Sequence, residues 1–387
     1  MVAEFYPRAA DPVLGVWAHR QALASRDAGA DVRVLVLQRP VPPMAVLRAG
    51  DLRAARRAVA QPLHADLDGI EVRYVPFVAP PRGLTYASWG AWAAPTLALA
   101  LRRLHTRFPY DLLHAHYAVP AGDAVRRAGR PEPLVVSVHG GDVLYTARRS
   151  AAGRASVAAT FAAARAVLAN SADTERRCRE LGARTTRVVH LGTDVPDRVE
   201  PDRRPPTLVT VGHLVARKRH ADVIDALARL RNRHPDARYA IVGDGPEKNR
   251  LAALARELGV ADRVHLLGQL PPEQARAEAR RGTVFVLPSV DEAFGVAYIE
   301  AMAGGVPAIG CRGEGGPEEI AAAGDGIRLV EAGDVAVLAK EIDGLLSDAL
   351  WRRELGRRAR DTVSRNFTWE RCGAETVAAY EAALAGP

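Results

Sequence analysis

The stretch Val284-Phe-Val-Leu-Pro-Ser-Val-Asp-Glu-Ala-Phe-Gly-Val-Ala-Tyr-Ile-Glu-Ala-Met-Ala-Gly-Gly-Val-Pro-Ala-Ile309 decides how this chain is read. Residues 284–287 are apolar throughout and bounded by Pro288, the pattern of a short buried strand. A turn follows, then a helical pattern from Gly295 to about Ala303, and residues 306–309 read as a second buried strand. Glu292 falls in the turn at the first strand's carboxyl end, and Glu300 lies about one and a half turns into the helix. Between them, the backbone N–H groups of Phe294, Gly295 and Val296 open that helix. A helix N-terminus at the carboxyl edge of a parallel sheet is a ready anion site. One short segment thus offers amides to a phosphate and two carboxylates to hydroxyls, which is what an anionic, polyhydroxylated ligand such as a nucleotide-sugar requires.

Outward from this stretch, strands and helices alternate along the whole chain, as in parallel sheets. In the first half, strands are expected at residues 2–5, 31–37, 70–77, 111–116, 134–139, 166–170 and 187–190. Helices are expected at 15–28, 86–107 and 172–181. The segment Val199-Glu-Pro-Asp-Arg-Arg-Pro-Pro206 is polar and proline-rich and continues neither element type. Beyond it strands are expected at 207–211, 237–242, 264–267, 284–287, 306–309 and 326–330, and residues 351–385 read as helical on both sides of a break near Asn366-Phe-Thr368. The expected organisation is a domain at 1–198, a linker at 199–206, a domain at 207–365 and a terminal helix at 366–387. The first strand is short and interrupted by Glu4; either the true start lies upstream of Met1, or the strand is short by nature.

A length of 387 residues suits two α/β domains. The chain is 48% hydrophobic and 25% charged, ordinary for a globular protein. There is no apolar run long enough to span a membrane and no signal-peptide pattern at the start. Cys178, Cys311 and Cys372 form no metal-ligand spacing, suit small core filler, and favour a reduced, cytoplasmic setting. The net charge of +8 fits phosphorylated ligands or an anionic surface. No zinc-finger, basic-zipper or RNP-like string is present, so nucleic acid is not an expected partner.

Pro288-Ser289 followed by Glu-x7-Glu, with Phe-Gly after the first glutamate and Ala-Met-Ala-x-Gly-x-Pro after the second, resembles the retaining glycosyltransferases of family 4. The resemblance covers most of the chain and is most specific over residues 207–320. It implies the α/β GT-B fold, two Rossmann-like domains facing across a cleft. It implies a metal-independent hexosyltransferase that uses a nucleoside-diphosphate sugar, UDP ahead of GDP, and a glycan, lipid-linked or small-molecule acceptor bound on the first domain. No Asp-x-Asp run stands at a strand end in the second half, so no metal or other cofactor is expected.

By the same resemblance, Glu292 binds hydroxyls of the donor sugar and Glu300 the ribose. Lys218, in Val211-Gly-His-Leu-Val-Ala-Arg-Lys-Arg219, matches the family lysine on the donor diphosphate. In a chain whose only lysines are Lys218, Lys248 and Lys340, its position is informative. His213 replaces the family arginine, and Arg217 or Arg219 is expected to supply the second positive contact. Gly243 and Gly245 follow a strand and allow close approach to a ligand, and residues 263–268 with the loop after them are expected to flank the nucleobase. Gly15, in the loop from Tyr6, opens the first helix toward the diphosphate or acceptor. His139, in Thr-x-His-like Val138-His-Gly-Gly141, is expected to face the donor sugar, with His116 toward the cleft and His114 packed. Two basic segments, Arg48, Arg53, Arg56 and Arg57, and the Tyr86, Trp89, Trp92 to Arg102, Arg103, Arg107 helix, suit either a solvated face or peripheral docking on an anionic membrane. The rival readings are a nucleotide-sugar epimerase or hydrolase of the same fold, and a catalytically silent sugar-nucleotide- or glycan-binding subunit.

Overall fold

Two twisted parallel sheets carry the chain in the computed structural model, which describes residues 1–42, 46, 48–199 and 205–386. The first sheet contains β1 Val2–Ala3, β2 Val34–Gln38, β3 His64–Leu67, β4 Ile70–Pro76, β5 Leu113–His116, β6 Leu134–Val138, β7 Ala166–Ala169 and β8 Thr186–Val188. Its spatial order is β3-β4-β2-β1-β5-β6-β7-β8, parallel throughout except for β3 against β4. The second contains β9 Thr207–Val211, β10 Arg238–Val242, β11 Val264–Gly268, β12 Val284–Val286, β13 Ala308–Cys311 and β14 Ile327–Val330. Its order is β11-β10-β9-β12-β13-β14. Central strands such as β2, β6 and β13 are buried at every residue, as sheets covered by helices on both faces require.

In each sheet the chain builds to one side of its first strand and then returns to build the other. The order reverses between β1 and β5, and between β9 and β12. The carboxyl ends of strands at such reversals form the crevice where doubly wound sheets bind ligands. Both sets of candidate residues lie there.

The contacts divide the chain into Met1–His190 with Trp369–Pro387, and Leu191–Thr368. In the first unit, the helix Trp369–Leu384 adds Cys372, Ala379, Tyr380 and Ala383 to the core around β6 and β7. A side chain at Gly373 would overlap the Ala24 carbonyl, so this glycine sets how closely the helix meets Val16–Asp27. Gln21 donates to the Thr376 hydroxyl across the same contact, at 3.1 Å. In the second unit, one core joins β9, β10, β12 and β14 to the helices on one face through Leu208, Val223, Ile224, Leu227, Ile241 and Ile342. Residues 191–198 group with this unit. The Thr193 amide donates to the Phe367 carbonyl at 2.9 Å, and Arg280 and Arg360 donate to the carbonyls of Asp194 and Pro196. Of the linker expected at 199–206, Glu200 to Arg204 lie outside the described residues.

Two elements differ from expectation for local reasons. β1 spans two residues rather than four, because Glu4 leaves the ladder: Arg8 donates to its carbonyl at 2.6 Å, and its carboxylate accepts from the Tyr86 hydroxyl at 2.7 Å. β3 was not expected. Asp68 and Gly69, at φ 52° and 79°, form the two-residue turn that pairs Leu67 with Ile70 in a hairpin.

Candidate functional site

At the β9/β12 reversal two loops are tied together. The Val290 amide donates to the Arg217 carbonyl at 2.9 Å, which brings the lysine loop after β9 beside the glutamate loop after β12. Lys218 then reaches Glu292, Nζ to Oε2, at 2.5 Å, with the two side chains only 11% and 10% exposed. The Ser289 hydroxyl donates to the same carboxylate oxygen at 2.8 Å. Burial opposes ionisation of Glu292, but Lys218, Arg217 and Ser289 outweigh it and hold the carboxyl below the usual carboxylate range. Its backbone is fixed as well, since the Glu292 amide donates to Glu314 Oε2 at 2.8 Å. Burial, partly offset by the backbone amides of Glu292 and Asp291, raises the Glu314 carboxyl.

Gly295, at φ 84°, starts the helix Val296–Ala303, and no side chain caps its first turn. The Tyr298 amide donates to the Gly295 carbonyl at 3.0 Å, and the amides of Val296 and Ala297 open the helix beside the Lys218–Glu292 pair. Phe294 is buried against Phe367, ring centroids 5.6 Å apart, and so anchors the turn from below. Glu300 is half-buried on the same helix. A side chain at Gly316 would overlap the Phe294 backbone, so the glycine-rich loop after β13 packs directly on this turn.

The remaining candidates of the second unit divide. Gly243 and Gly245 make a close approach to protein: a Cβ at either would overlap the backbone carbonyl of Gly212 or of Leu214. They hold the β10 loop against the lysine loop. His213 is exposed and its Nδ1 lies 3.0 Å from the Asp244 carbonyl. A carbonyl only accepts, so Nδ1 carries the proton, and the neutral ring presents a lone pair at Nε2. His213 replaces an arginine's charge only as the imidazolium. Arg219, expected as one substitute, is committed to Asp222 at 2.7 Å. Arg217 stays near Glu292 and is close to the Asp291 carbonyl at 3.5 Å. His220 and Ser289 are the supporting residues that pattern reading did not assign. His220 donates from Nε2 to the His213 carbonyl at 3.1 Å and steadies the lysine loop, and burial pushes its imidazole down to about 4.

In the first unit, Gly15 caps the helix Val16–Asp27 at φ 66°, and a side chain there would overlap the Phe5 carbonyl. The histidines form a row. His114 is packed as expected, between the Tyr380 hydroxyl at 2.6 Å and the Ser137 hydroxyl at 2.8 Å. His116 does not face outward; it is 1% exposed and its Nδ1 lies 3.0 Å from Nε2 of His139. The His116 and His139 rings are parallel to within 6°, with centroids 5.3 Å apart. Burial pushes both imidazoles down, His139 to about 3, so both are neutral near pH 7. One nitrogen of the pair must donate. His116 Nε2 and His139 Nδ1 are both buried without a partner among the described residues, so whichever ring donates, the accepting ring is left with one unpaired N–H.

Asp142, three residues on, is fully buried. It accepts from the amides of Ala118 and Val119 at 3.1 and 3.2 Å, and burial raises its carboxyl to about 7.

Among the described residues, no group of three or more His, Cys, Asp or Glu side chains is placed to hold a metal ion, and no helix is long and apolar enough to cross a membrane. The three cysteines are buried and free. Of the basic segments, Arg48, Arg53 and Arg56 are exposed and the side chain of Arg57 lies outside the described residues. Trp89 is buried and Trp92 exposed on the 86–107 segment.

Comparison with known proteins agrees with this arrangement. The family model described as glycosyltransferase family 4 matches residues 14–196, and the model described as glycosyl transferases group 1 matches residues 194–362. A GDP-mannose-dependent alpha-(1-6)-phosphatidylinositol monomannoside mannosyltransferase of Mycolicibacterium smegmatis is 30% identical over 72% of this chain and 78% of its own. An N-acetyl-alpha-D-glucosaminyl L-malate synthase of Bacillus anthracis is 28% identical over 71% and 75%. Among solved structures, sucrose-phosphate synthase from Thermosynechococcus elongatus superposes with a TM-score of 0.78 at 23% identity, over 96% of this chain and 94% of that one. Anabaena HepE, in complex with UDP and glucose, gives 0.73 at 20% identity over 98% and 99%. With its two doubly wound sheets, two family models matched in succession over residues 14–196 and 194–362, and a relative 30% identical over most of both chains, the chain belongs to glycosyltransferase family 4 and has the GT-B fold.

Proposed function

We propose that this glycosyltransferase transfers a hexosyl group with retention from a nucleoside-diphosphate sugar, without a metal ion, to a glycan, lipid-linked or small-molecule acceptor. The carrying observation is the buried Lys218–Glu292 pair beside the uncapped N-terminus of Val296–Ala303. A departing diphosphate gains negative charge in the transition state. An ammonium and a fan of fixed amides stabilise that charge with little reorganisation. Lys218 shifts from Glu292 to the diphosphate when the donor binds, and the freed carboxylate of Glu292 accepts hydrogen bonds from sugar hydroxyls. Glu300 on the same helix binds the ribose. Arg217, and His213 when protonated, add positive charge to the diphosphate. In the first unit, His139 serves a ligand bound at the β1/β5 reversal.

The donor base is expected to be uracil ahead of guanine. The Mycolicibacterium relative is named for GDP-mannose and the HepE structure holds UDP, so both belong in the test. A thermal-shift panel of UDP-, GDP- and ADP-hexoses, followed by transfer of radiolabelled sugar from the stabilising donor, is that test. The correct donor raises Tm by mass action, by about 2.7 kcal/mol at a hundredfold excess over Kd. No shift with any nucleotide-sugar, or release of free hexose with every acceptor class, refutes the reading. Docking of Arg48, Arg53 and Arg56 on an anionic membrane, beside the exposed Leu52, is checked by co-sedimentation with vesicles containing phosphatidylglycerol.

A further inference from the structure

A cavity lies wholly within the first unit, at the carboxyl ends of β1, β5 and β6. Its volume is about 610 Å³, the size of a small-molecule site. Phe5, Tyr86, Tyr117 and Tyr145 supply aromatic walls, and Arg82 and Arg149 supply charge. Tyr117 is shared with His139, ring centroids 5.3 Å apart, so the cavity adjoins the histidine row.

The charge of the lining is one-sided. No Asp, Glu, Asn or Gln is among the described residues that line the cavity; besides the arginines, its polar side chains are the neutral hydroxyls of Tyr86, Tyr117, Tyr145, Thr146 and Ser150. Two carboxylates lie buried beside the wall: Glu4 already accepts from Tyr86, and Asp142 from the amides of Ala118 and Val119.

The arginines, in contrast, are under-used. Arg82 lies over the ring of Tyr86 at 4.2 Å and near that of Phe5 at 5.0 Å, and its ion pair with Glu4 is long, at 3.9 Å. Stacking engages the guanidinium's face and leaves its N–H edges available for a bidentate anion. Arg149 donates only to the Gly83 carbonyl, at 3.3 Å.

We infer that this cavity binds the acceptor, and that the acceptor bears a carboxylate or phosphate beside a flat or ring-shaped body. The inference rests on the glycosyl-transfer reading for the word acceptor, but not for the anion site itself. The anion meets the edges of Arg82 and Arg149, and the body lies against the four rings.

Calorimetry on the whole protein without donor tests it, using phenyl phosphate, benzoate, phenyl β-glucoside and inorganic phosphate as probes. Phenyl phosphate or benzoate should bind about tenfold or more tighter than phenyl β-glucoside and inorganic phosphate, since only they satisfy both walls and arginines. Which of the two binds tighter separates a phosphate acceptor from a carboxylate one. Arg82→Gln and the surface variant Arg149→Gln should each abolish most of that advantage, Arg149→Gln with unchanged Tm and Arg82→Gln at some cost in Tm through its pairing with Glu4, and Lys218→Ala should leave it intact. Equal binding of the neutral glucoside overturns the inference. So does absence of binding at millimolar probe, or loss of binding in Lys218→Ala alone. If the anion binds through Arg82 but no donor sugar is ever transferred, the cavity stands and the glycosyl-transfer reading falls. If transfer proceeds to neutral acceptors at undiminished rate in Arg82→Gln, the reading stands and the anion site falls.

Discussion

Replacing Lys218 by Met separates what the Lys218–Glu292 pair does for the fold from what it does for the donor. The side chains are nearly buried and 2.5 Å apart, so the substitution leaves a carboxylate in a poorly solvated place. Ser289 still donates to it, but burial then acts without its principal opponent. Breaking a buried pair from one side costs about 3–5 kcal/mol. Arg217 remains nearby and the carboxyl can take up a proton, which together reduce the loss to about 2–3 kcal/mol at neutral pH. Adding Glu292→Gln removes the stranded charge and keeps an oxygen for Ser289. The double variant should therefore recover most of the stability, to within about 1 kcal/mol of the parent. The pH dependence has a definite sign. The folded-state pKa of Glu292 is lowered, so its stabilisation is present above the ordinary carboxylate pKa and is lost as pH falls through the folded value. The gap between parent and Lys218→Met should thus be widest near pH 8 and shrink toward pH 4.

Transfer should follow a different pattern. Lys218→Met removes a charge-assisted contact to the diphosphate worth about 1.5–3 kcal/mol, or roughly 10–100-fold in kcat/KM. Glu292→Gln restores no positive charge, so the stable double variant should be as poor as the single one, or poorer. Scanning calorimetry at several pH values and transfer of radiolabelled hexose measure the two quantities. A Lys218→Met protein as stable as the parent refutes the buried-pair reasoning. A double variant that regains both stability and transfer refutes the donor role.

Three further outcomes are expected. His139→Ala should lower kcat by about tenfold or more with nucleoside diphosphate affinity unchanged, because a contact made in the transition state appears in kcat; weakened nucleotide binding at unchanged kcat would contradict this. Asp142 has a folded pKa raised from 3.8 to about 7, so its contribution to stability is present below the lower value and is lost as pH rises between them. Asp142→Asn, which keeps the acceptor for Ala118 and Val119, should flatten the pH dependence of stability between about pH 4 and 7, a slope of up to about 1.4 kcal/mol per pH unit, and an unchanged profile would refute the assignment. Transfer should survive EDTA within about twofold, since Lys218 and the helix amides neutralise the diphosphate; loss on chelation restored by Mn²⁺ would overturn the metal-independent reading.

The Lys218–Glu292 site was legible as a cluster at a strand reversal because its parts are local in sequence. Strand, turn, helix and second strand from Val284 to Cys311 carry their own apolar periods, and Gly295 marks the helix start by the αL conformation it alone tolerates cheaply. Lys218 was legible because the chain is so poor in lysine. At Gly243 and Gly245 the structure shows a close approach that pattern reading did not foresee, to the carbonyls of Gly212 and Leu214, since a glycine needed for close approach looks identical in sequence whatever its neighbour. The hairpin at β3 was missed although Asp68-Gly69 is a strong turn pair, because His64–Leu67 is only four residues long and its alternation rests on Ala65 and Leu67 alone.

The acceptor side was not legible, for a reason built into its construction. Its cavity is drawn from segments near residues 5, 82–86, 117 and 141–149, brought together only when β1, β5 and β6 lie side by side. No segment of these shows a motif alone. Glu4 illustrates the point. In the sequence it reads as a defect in an apolar strand, yet in the fold it is a buried carboxylate beneath Tyr86 and Arg82. Its raised pKa records the cost of burial, which the Tyr86 hydroxyl and the arginines at Arg82 and Arg8 partly offset. A buried charge is kept in place by such partners, and in holding Tyr86 it sets the wall against which Arg82 stacks. A family motif specifies the half of the reaction common to all donors. The acceptor half depends on long-range packing of residues such as these, where a single carboxylate fixes the stance of an aromatic ring and, through it, of the cation.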